Sequence, residues 1–148
     1  MYSQEIMEFA ISSADADFSA EVPVVAVIAI GKEIISVAKN QVELCERSWY
    51  HAEFLAVSEA CEVLRTRYLD MASIYVTLEP CAFCASLLEK VRIKNIFFGA
   101  YDTKCGAIDH GIRLFDHSMI SPYIIGGIQE QRCSNIIKNF FERIRKNE

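Results

Sequence analysis

A helix-sheet-helix sandwich of the α/β class is predicted by three features of the 148-residue chain. Its middle reads strand, helix, strand; each end carries an amphipathic helix; and an early run is continuously apolar and β-branched. Ser3 to Phe18 sets Ile6, Phe9, Ala10, Ala14 and Phe18 at near-helical spacing with Glu5, Glu8, Asp15 and Asp17 on other faces, which predicts the first helix. Val22 to Ile30 suits a strand buried on both faces, and Gly31-Lys32-Glu33 turns it into a hairpin partner at Ile34 to Ala38. A loop from Asn40 to Tyr50 leads into a helix from about Ala52 to Arg67. Ser73 to Leu78 is a strand, Pro80 suits the first position of a short helix running to about Lys90, and Asn95 to Gly99 is the next strand. That succession favours parallel pairing of the two strands across the helix. Tyr101 to Tyr123 reads as irregular, and Glu130 to Lys146 closes the chain as a helix with Ile136, Ile137, Phe140, Phe141 and Ile144 on its apolar side.

No repeat, low-complexity tract or linker interrupts the chain, so a single domain is expected over residues 1–148. A content of 52% hydrophobic residues with only 3 prolines excludes disorder. The net charge of -5 argues against general affinity for polyanions, which rests on neutralising phosphates, but leaves room for a local basic strip. Val22 to Ile30, the longest apolar stretch, is interrupted by Pro23 and falls far short of the roughly 20 residues a membrane-spanning helix needs, so no membrane partner is expected. The six cysteines lie in a core-forming chain with no signal peptide at Met1, which points to a reducing cytoplasm rather than a disulfide framework. Cys45, Cys61, Cys105 and Cys133 then read as small buried hydrophobes or inert thiols.

Two motifs carry chemistry: His51-Ala52-Glu53, and Pro80-Cys81-Ala82-Phe83-Cys84. Cysteines at this spacing reach one tetrahedral ion from the same helical face, and His51 is the candidate third ligand. Three protein ligands leave a position for water, the pattern of a catalytic zinc site, and zinc is favoured over iron by ligand softness. Both motifs sit where a helix begins, and the amides and dipole there favour thiolate, which readies Cys81 and Cys84 for metal. Residues two apart in a helix diverge, so His51 and Glu53 converge only if His51 is a helix-entry residue. Glu53 is then the proton carrier of a hydrolytic deamination, taking a proton from water and delivering it to a ring nitrogen and the departing amine. Alone, Cys-x-x-Cys equally suits half a structural zinc site or a redox pair, and His-x-Glu recurs by chance. Together, in this order and at helix starts, they specify catalytic zinc.

These residues resemble the zinc-dependent cytidine deaminase superfamily and, within it, the bacterial tRNA-specific adenosine deaminases. The resemblance spans nearly the whole chain through Glu21-Val22-Pro23-Val24, Asn40, His51-Ala52-Glu53, Thr77-Leu78-Glu79-Pro80-Cys81, Phe98-Gly99-Ala100, Asp102, Lys104, Gly106-Ala107 and Asn139-Phe140-Phe141, in order. It implies a three-layer α/β/α sandwich with a mixed sheet of about five strands, one Zn2+ per chain and a homodimer. The implied substrate is the wobble adenosine of a tRNA anticodon stem-loop, converted to inosine, an unpaired base that needs no extraction from a duplex. Asn40 matches the residue that hydrogen-bonds the target base, with an amide that offers donor and acceptor; Val22 and Ala52 match neighbouring substrate positions. Asp102 and Lys104 match a loop near the nucleic-acid backbone and ribose, and Phe140 and Phe141 match the final helix beside the RNA groove. On that helix Lys138, Arg143, Arg145 and Lys146 supply the basic strip.

Departures from the pattern are equally specific. Arg47-Ser48-Trp49-Tyr50 replaces the usual Asp-Pro-Thr-Ala ahead of His51, and loop packing is the preferred role for Trp49 over stacking on a base. Phe83 stands for a methionine and Val25 for a glycine near the base. Asp109 to Pro122 matches weakly, so His110 and His117 receive no role. A deaminase of a free base or nucleoside, such as guanine or cytosine, is the nearest alternative reading, opposed by Asp102, Lys104 and the basic helix. A non-catalytic zinc- or RNA-binding module is the other, opposed by Glu53, for which a non-enzyme has no use.

Overall fold

Five strands form one mixed sheet in the computed structural model, which describes residues 1–147; Glu148, the last residue of the expected domain, lies outside them. The strands are β1 (Val25–Ile30), β2 (Glu33–Lys39), β3 (Ser73–Leu78), β4 (Asn95–Ala100) and β5 (Tyr123–Ile125), in spatial order β2-β1-β3-β4-β5. β1 pairs antiparallel with β2 and β3, while β3, β4 and β5 run parallel. The helices are α1 (Gln4–Asp15), α2 (Val42–Cys45), α3 (Ala52–Leu64), α4 (Ala82–Lys90) and α5 (Glu130–Lys146).

Side-chain alternation along the strands builds two cores. Ala26 and Ile28 of β1, Ile74 and Val76 of β3 and Phe98 of β4 pack with Ala56 and Val57 of α3 and Leu88 of α4. Val25, Val27, Tyr75 and Phe97 face the other way, against Met7, Ile11 and Ile136 of α1 and α5. The predicted three-layer sandwich is therefore the observed one, and β1 has the two-sided burial its sequence required.

Element ends differ from expectation for local reasons. α1 starts on Ser3, whose hydroxyl accepts the Ile6 N–H, but stops at Asp15 because the Asp17 carboxylate takes the Ser19 N–H in a turn of its own, leaving Phe18 exposed. β1 begins at Val25, not Val22, since Pro23 is bracketed by a tight turn from the Val24 N–H to the Val22 carbonyl. α3 ends at Leu64 rather than Arg67, where Arg65 adopts φ 51° and the Thr66 N–H reaches back to Cys61, a stop usually signalled by glycine. Pro80 precedes the helix: Cys81 caps α4, and the Pro80 carbonyl accepts the Ala107 N–H. The loop expected over Asn40 to Tyr50 contains the single turn α2, and the irregular stretch from Tyr101 to Tyr123 contains a 3-10 turn at Leu114–Asp116 and runs into β5. Both helix starts that bear the motifs lie at the carboxyl ends of β2 and β3, the edge of an open α/β sheet where ligand sites form.

Candidate metal centre and the cavity beside it

His51 is the N-cap of α3, with extended backbone at φ -72° and ψ 152°, as convergence with Glu53 demanded. Cys81 holds the same place on α4, and Cys84 follows in its first turn. His51 Nδ1 lies 3.6 Å from Cys81 Sγ and 3.4 Å from Cys84 Sγ, and the three ligand atoms all fall within 4.8 Å of one another. Zinc bonds of about 2.0–2.1 Å to nitrogen and about 2.3 Å to sulfur, at tetrahedral angles, put N and S about 3.6 Å apart, so the donor set fits the ion. No other His, Cys, Asp or Glu completes the group among the described residues, as an open rather than a structural site requires.

Electrostatics within the centre sharpen the expectation of two thiolates. The hydrogen bond from Cys84, helped by the His51 contact and opposed by burial, brings Cys81 down to about 4. The same bond and burial push Cys84 up, and a bound zinc ion would favour the thiolate of both. The Cys81 contact raises His51. Glu53, only 5% exposed in the first turn of α3, is pushed up to about 7 chiefly by burial. A cation alongside pulls that value back down.

A cavity of about 550 Å³ opens beside His51, walled by Val22, Asn40, Ser48 and Phe141. Val22 and Phe141 also border an adjoining cavity of about 570 Å³ that holds Asp102, Lys104 and Lys138. The Asn40 Oδ1 accepts the Ala52 N–H at 2.9 Å, which fixes the amide and leaves its NH2 to donate to a ligand. Ala52 itself is fully buried beneath. Phe141 is 45% exposed, whereas Phe140 packs inward. Lys138, Arg145 and Lys146 are exposed on α5, but Arg143 is committed internally, over the Phe18 and Phe140 rings and to the Ser19 carbonyl.

Trp49 stands edge-on to Tyr50 and keeps 46% of its surface exposed; Tyr50 stacks on Phe54, and Phe83 meets the His51 ring edge-on. Val25 points into the α1 and α5 core, away from the metal centre, so the residue in glycine's place does not shape the base site. Of the four remaining cysteines only Cys133 is buried, as the first of the two expected readings has it; Cys45 and Cys61 are half-buried and Cys105 is exposed. Two buried carboxylates had no assigned role. Glu21 accepts the Glu43 and Leu44 N–H groups and so caps α2, whose own N-cap Gln41 makes no such bond. Glu79 accepts from the loop that carries Asp102 and from His110; burial alone would raise it, but those bonds hold it below the ordinary carboxylate value. Only their place within the motif landmarks hinted at them, since an acidic residue beside a proline usually reads as a turn.

The family model of MafB19-like deaminases matches residues 1–145. A tRNA-specific adenosine deaminase of Rickettsia felis is 40% identical over 144 residues, covering 94% of this chain and 100% of its own. That of Bacillus subtilis is 38% identical, covering 88% and 83%. A solved structure from studies of A-to-I editing by tRNA:A34 deaminases at the wobble position of transfer RNA superposes with a TM-score of 0.85 at 33% identity, over 90% of this chain and 99% of its own.

Proposed function

The chain belongs to the MafB19-like deaminase family and groups with the tRNA-specific adenosine deaminases, and from that premise we propose that it converts the wobble adenosine of a tRNA anticodon loop to inosine. Water replaces the 6-amino group, and ammonia leaves. The observation that carries the reading is Glu53, a buried carboxyl beside three converging metal-ligand atoms and next to a cavity lined by Asn40.

His51, Cys81 and Cys84 would hold one zinc ion per chain, which when bound supplies Lewis-acid activation of the attacking water. Glu53 takes one proton from that water and hands it to the purine ring nitrogen, which keeps it, then takes the proton of the newly added hydroxyl and delivers it to the departing amine as the C=O forms and ammonia leaves. Burial raises the Glu53 carboxyl in the chain alone, and a bound cation would draw it back toward the ionised form that accepts the first proton. The Asn40 amide, its oxygen already engaged, donates to an acceptor on the base edge. Val22 and Phe141 flank the base, while Asp102 and Lys104 meet ribose and phosphate from the adjoining cavity.

The reading extends to a single domain over residues 1–148, a homodimer and a cytoplasmic location, where the tRNA resides. The exposed Trp49 and Phe83, flanking half-buried Tyr50 and Phe54, form the kind of apolar face that a second copy covers. No helix among the described residues is long and apolar enough to cross a membrane, and all six cysteines are unpaired.

An anticodon stem-loop RNA sequenced before and after incubation with the protein will show its wobble adenosine read as guanosine; release of ammonia from free bases only would end the RNA reading. Asn40→Asp keeps an acceptor for the Ala52 N–H while replacing the NH2 donor by a charged oxygen, so it removes the donation to the base and adds a negative charge there. We expect an unchanged unfolding midpoint and a fall in kcat/KM of about tenfold or more.

A further inference from the structure

Glu79 is the most heavily engaged side chain in the protein outside the metal centre. Its side chain has no exposed surface, yet it sits among five donors. Oε1 accepts the Asp102 N–H at 3.0 Å and lies 2.8 Å from His110 Nδ1. Oε2 accepts the N–H groups of Ile108, Asp109 and His110 at 3.1, 2.8 and 3.2 Å. A carboxylate is the one side-chain group that meets so many donors with acceptors alone. The loop is drawn in so tightly that a Cβ on Gly106 would stand 2.5 Å from the Glu79 carboxyl carbon and 2.4 Å from the Asp102 carbonyl oxygen.

We propose that Glu79 is a positioning residue for the deamination, whose carboxylate sets the substrate-side loop from Tyr101 to His110 against the metal-binding segment from Pro80 to Cys84. The inference rests on the RNA reading above and adds how the nucleic-acid contacts are registered to the metal. Two further links tie the same pieces: the Ala107 N–H donates to the Pro80 carbonyl at 2.9 Å, and Gly106 pairs with Cys81 in an isolated bridge. From the fixed backbone of Asp102 the order passes outward, because the Asp102 carboxylate accepts the Lys104 and Cys105 N–H groups at 3.1 and 3.0 Å. That turn aims Lys104 along the cavity shared with Lys138 and Phe141. Glu79 thus touches neither substrate nor metal ligand side chain, and acts through Asp102 and Lys104.

Glu79→Gln keeps the shape but turns an amide NH2 toward backbone N–H groups. Three measurements on the zinc-loaded protein separate positioning from bulk stability. Amide hydrogen exchange at Asp102, Ile108, Asp109 and His110 accelerates about tenfold or more while β1 and β3 keep their rates. KM for the anticodon stem-loop rises about 10- to 100-fold, with zinc content unchanged and kcat within about threefold. In a Lys104→Ala background the same substitution raises KM far less, because both act on one contact. Should Glu79→Gln not fold, His110→Ala removes one donor, leaves the carboxylate, and moves exchange and KM in the same direction by about threefold. Unchanged exchange, or a KM effect fully additive with Lys104→Ala, overturns the proposal. The exchange measurement needs no RNA, so a wild-type protein inactive on the stem-loop would end the functional reading, while exchange would still report whether Glu79 holds the Asp102 loop.

Discussion

Glu53→Ala leaves one zinc per chain and lowers kcat for inosine formation by about 10²- to 10⁴-fold, the range expected for removing a positioned acid-base group. The separation of these two readouts follows from the geometry. Glu53 is the second residue of α3, two past its N-cap, and is not among the three converging ligand atoms. The alanine also relieves a burial penalty, since the carboxyl is held at 5% exposure, and the variant is expected to fold at least as stably as the parent. Metal content by atomic absorption beside single-turnover deamination decides the matter. Undiminished inosine formation would remove Glu53 from the mechanism, and lost zinc would make it a ligand instead.

Cys84→Ser is expected to abolish both zinc retention and activity, because the buried sulfur 3.4 Å from His51 Nδ1 is replaced by a hydroxyl that is a poor, rarely ionised ligand. The effect reaches stability as well. Zinc that binds only the folded chain stabilises it by about 2.7 kcal/mol at a hundredfold excess over its Kd. For a chain of this length that raises the thermal midpoint by roughly 5–10 °C. The parent protein should therefore lose this increment to a chelator and regain it with zinc, while Cys84→Ser responds to neither. A variant whose midpoint still climbs with zinc would show that the centre does not depend on the Cys84 sulfur.

Much of this was legible before any coordinates. Periodicity located α1, α3, α5 and the first four strands, because each buries a stripe or a face large enough to mark the sequence. The three-residue β5, half-buried at the sheet edge beside Gly126 and Gly127, has too short a pattern to register, and its existence was implied by resemblance alone. Ends were misread where a residue other than glycine took the left-handed conformation, as at Arg65, or where an unlabelled side chain satisfied the backbone, as Glu21 does for α2.

The residue types at His51, Glu53, Cys81 and Cys84 by themselves determined the chemistry, since softness, acidity and spacing along a helix start are local properties. Their distances, and the burial that brings Glu53 to near neutrality, came only from packing α3 and α4 on one face of the sheet. The same holds for Asn40, oriented by a bond to a residue in another element, and for Glu79, joined to a loop 23 to 31 positions away. A hydrogen bond between distant segments leaves no period and no spacing in the chain, so only the folded backbone decides it.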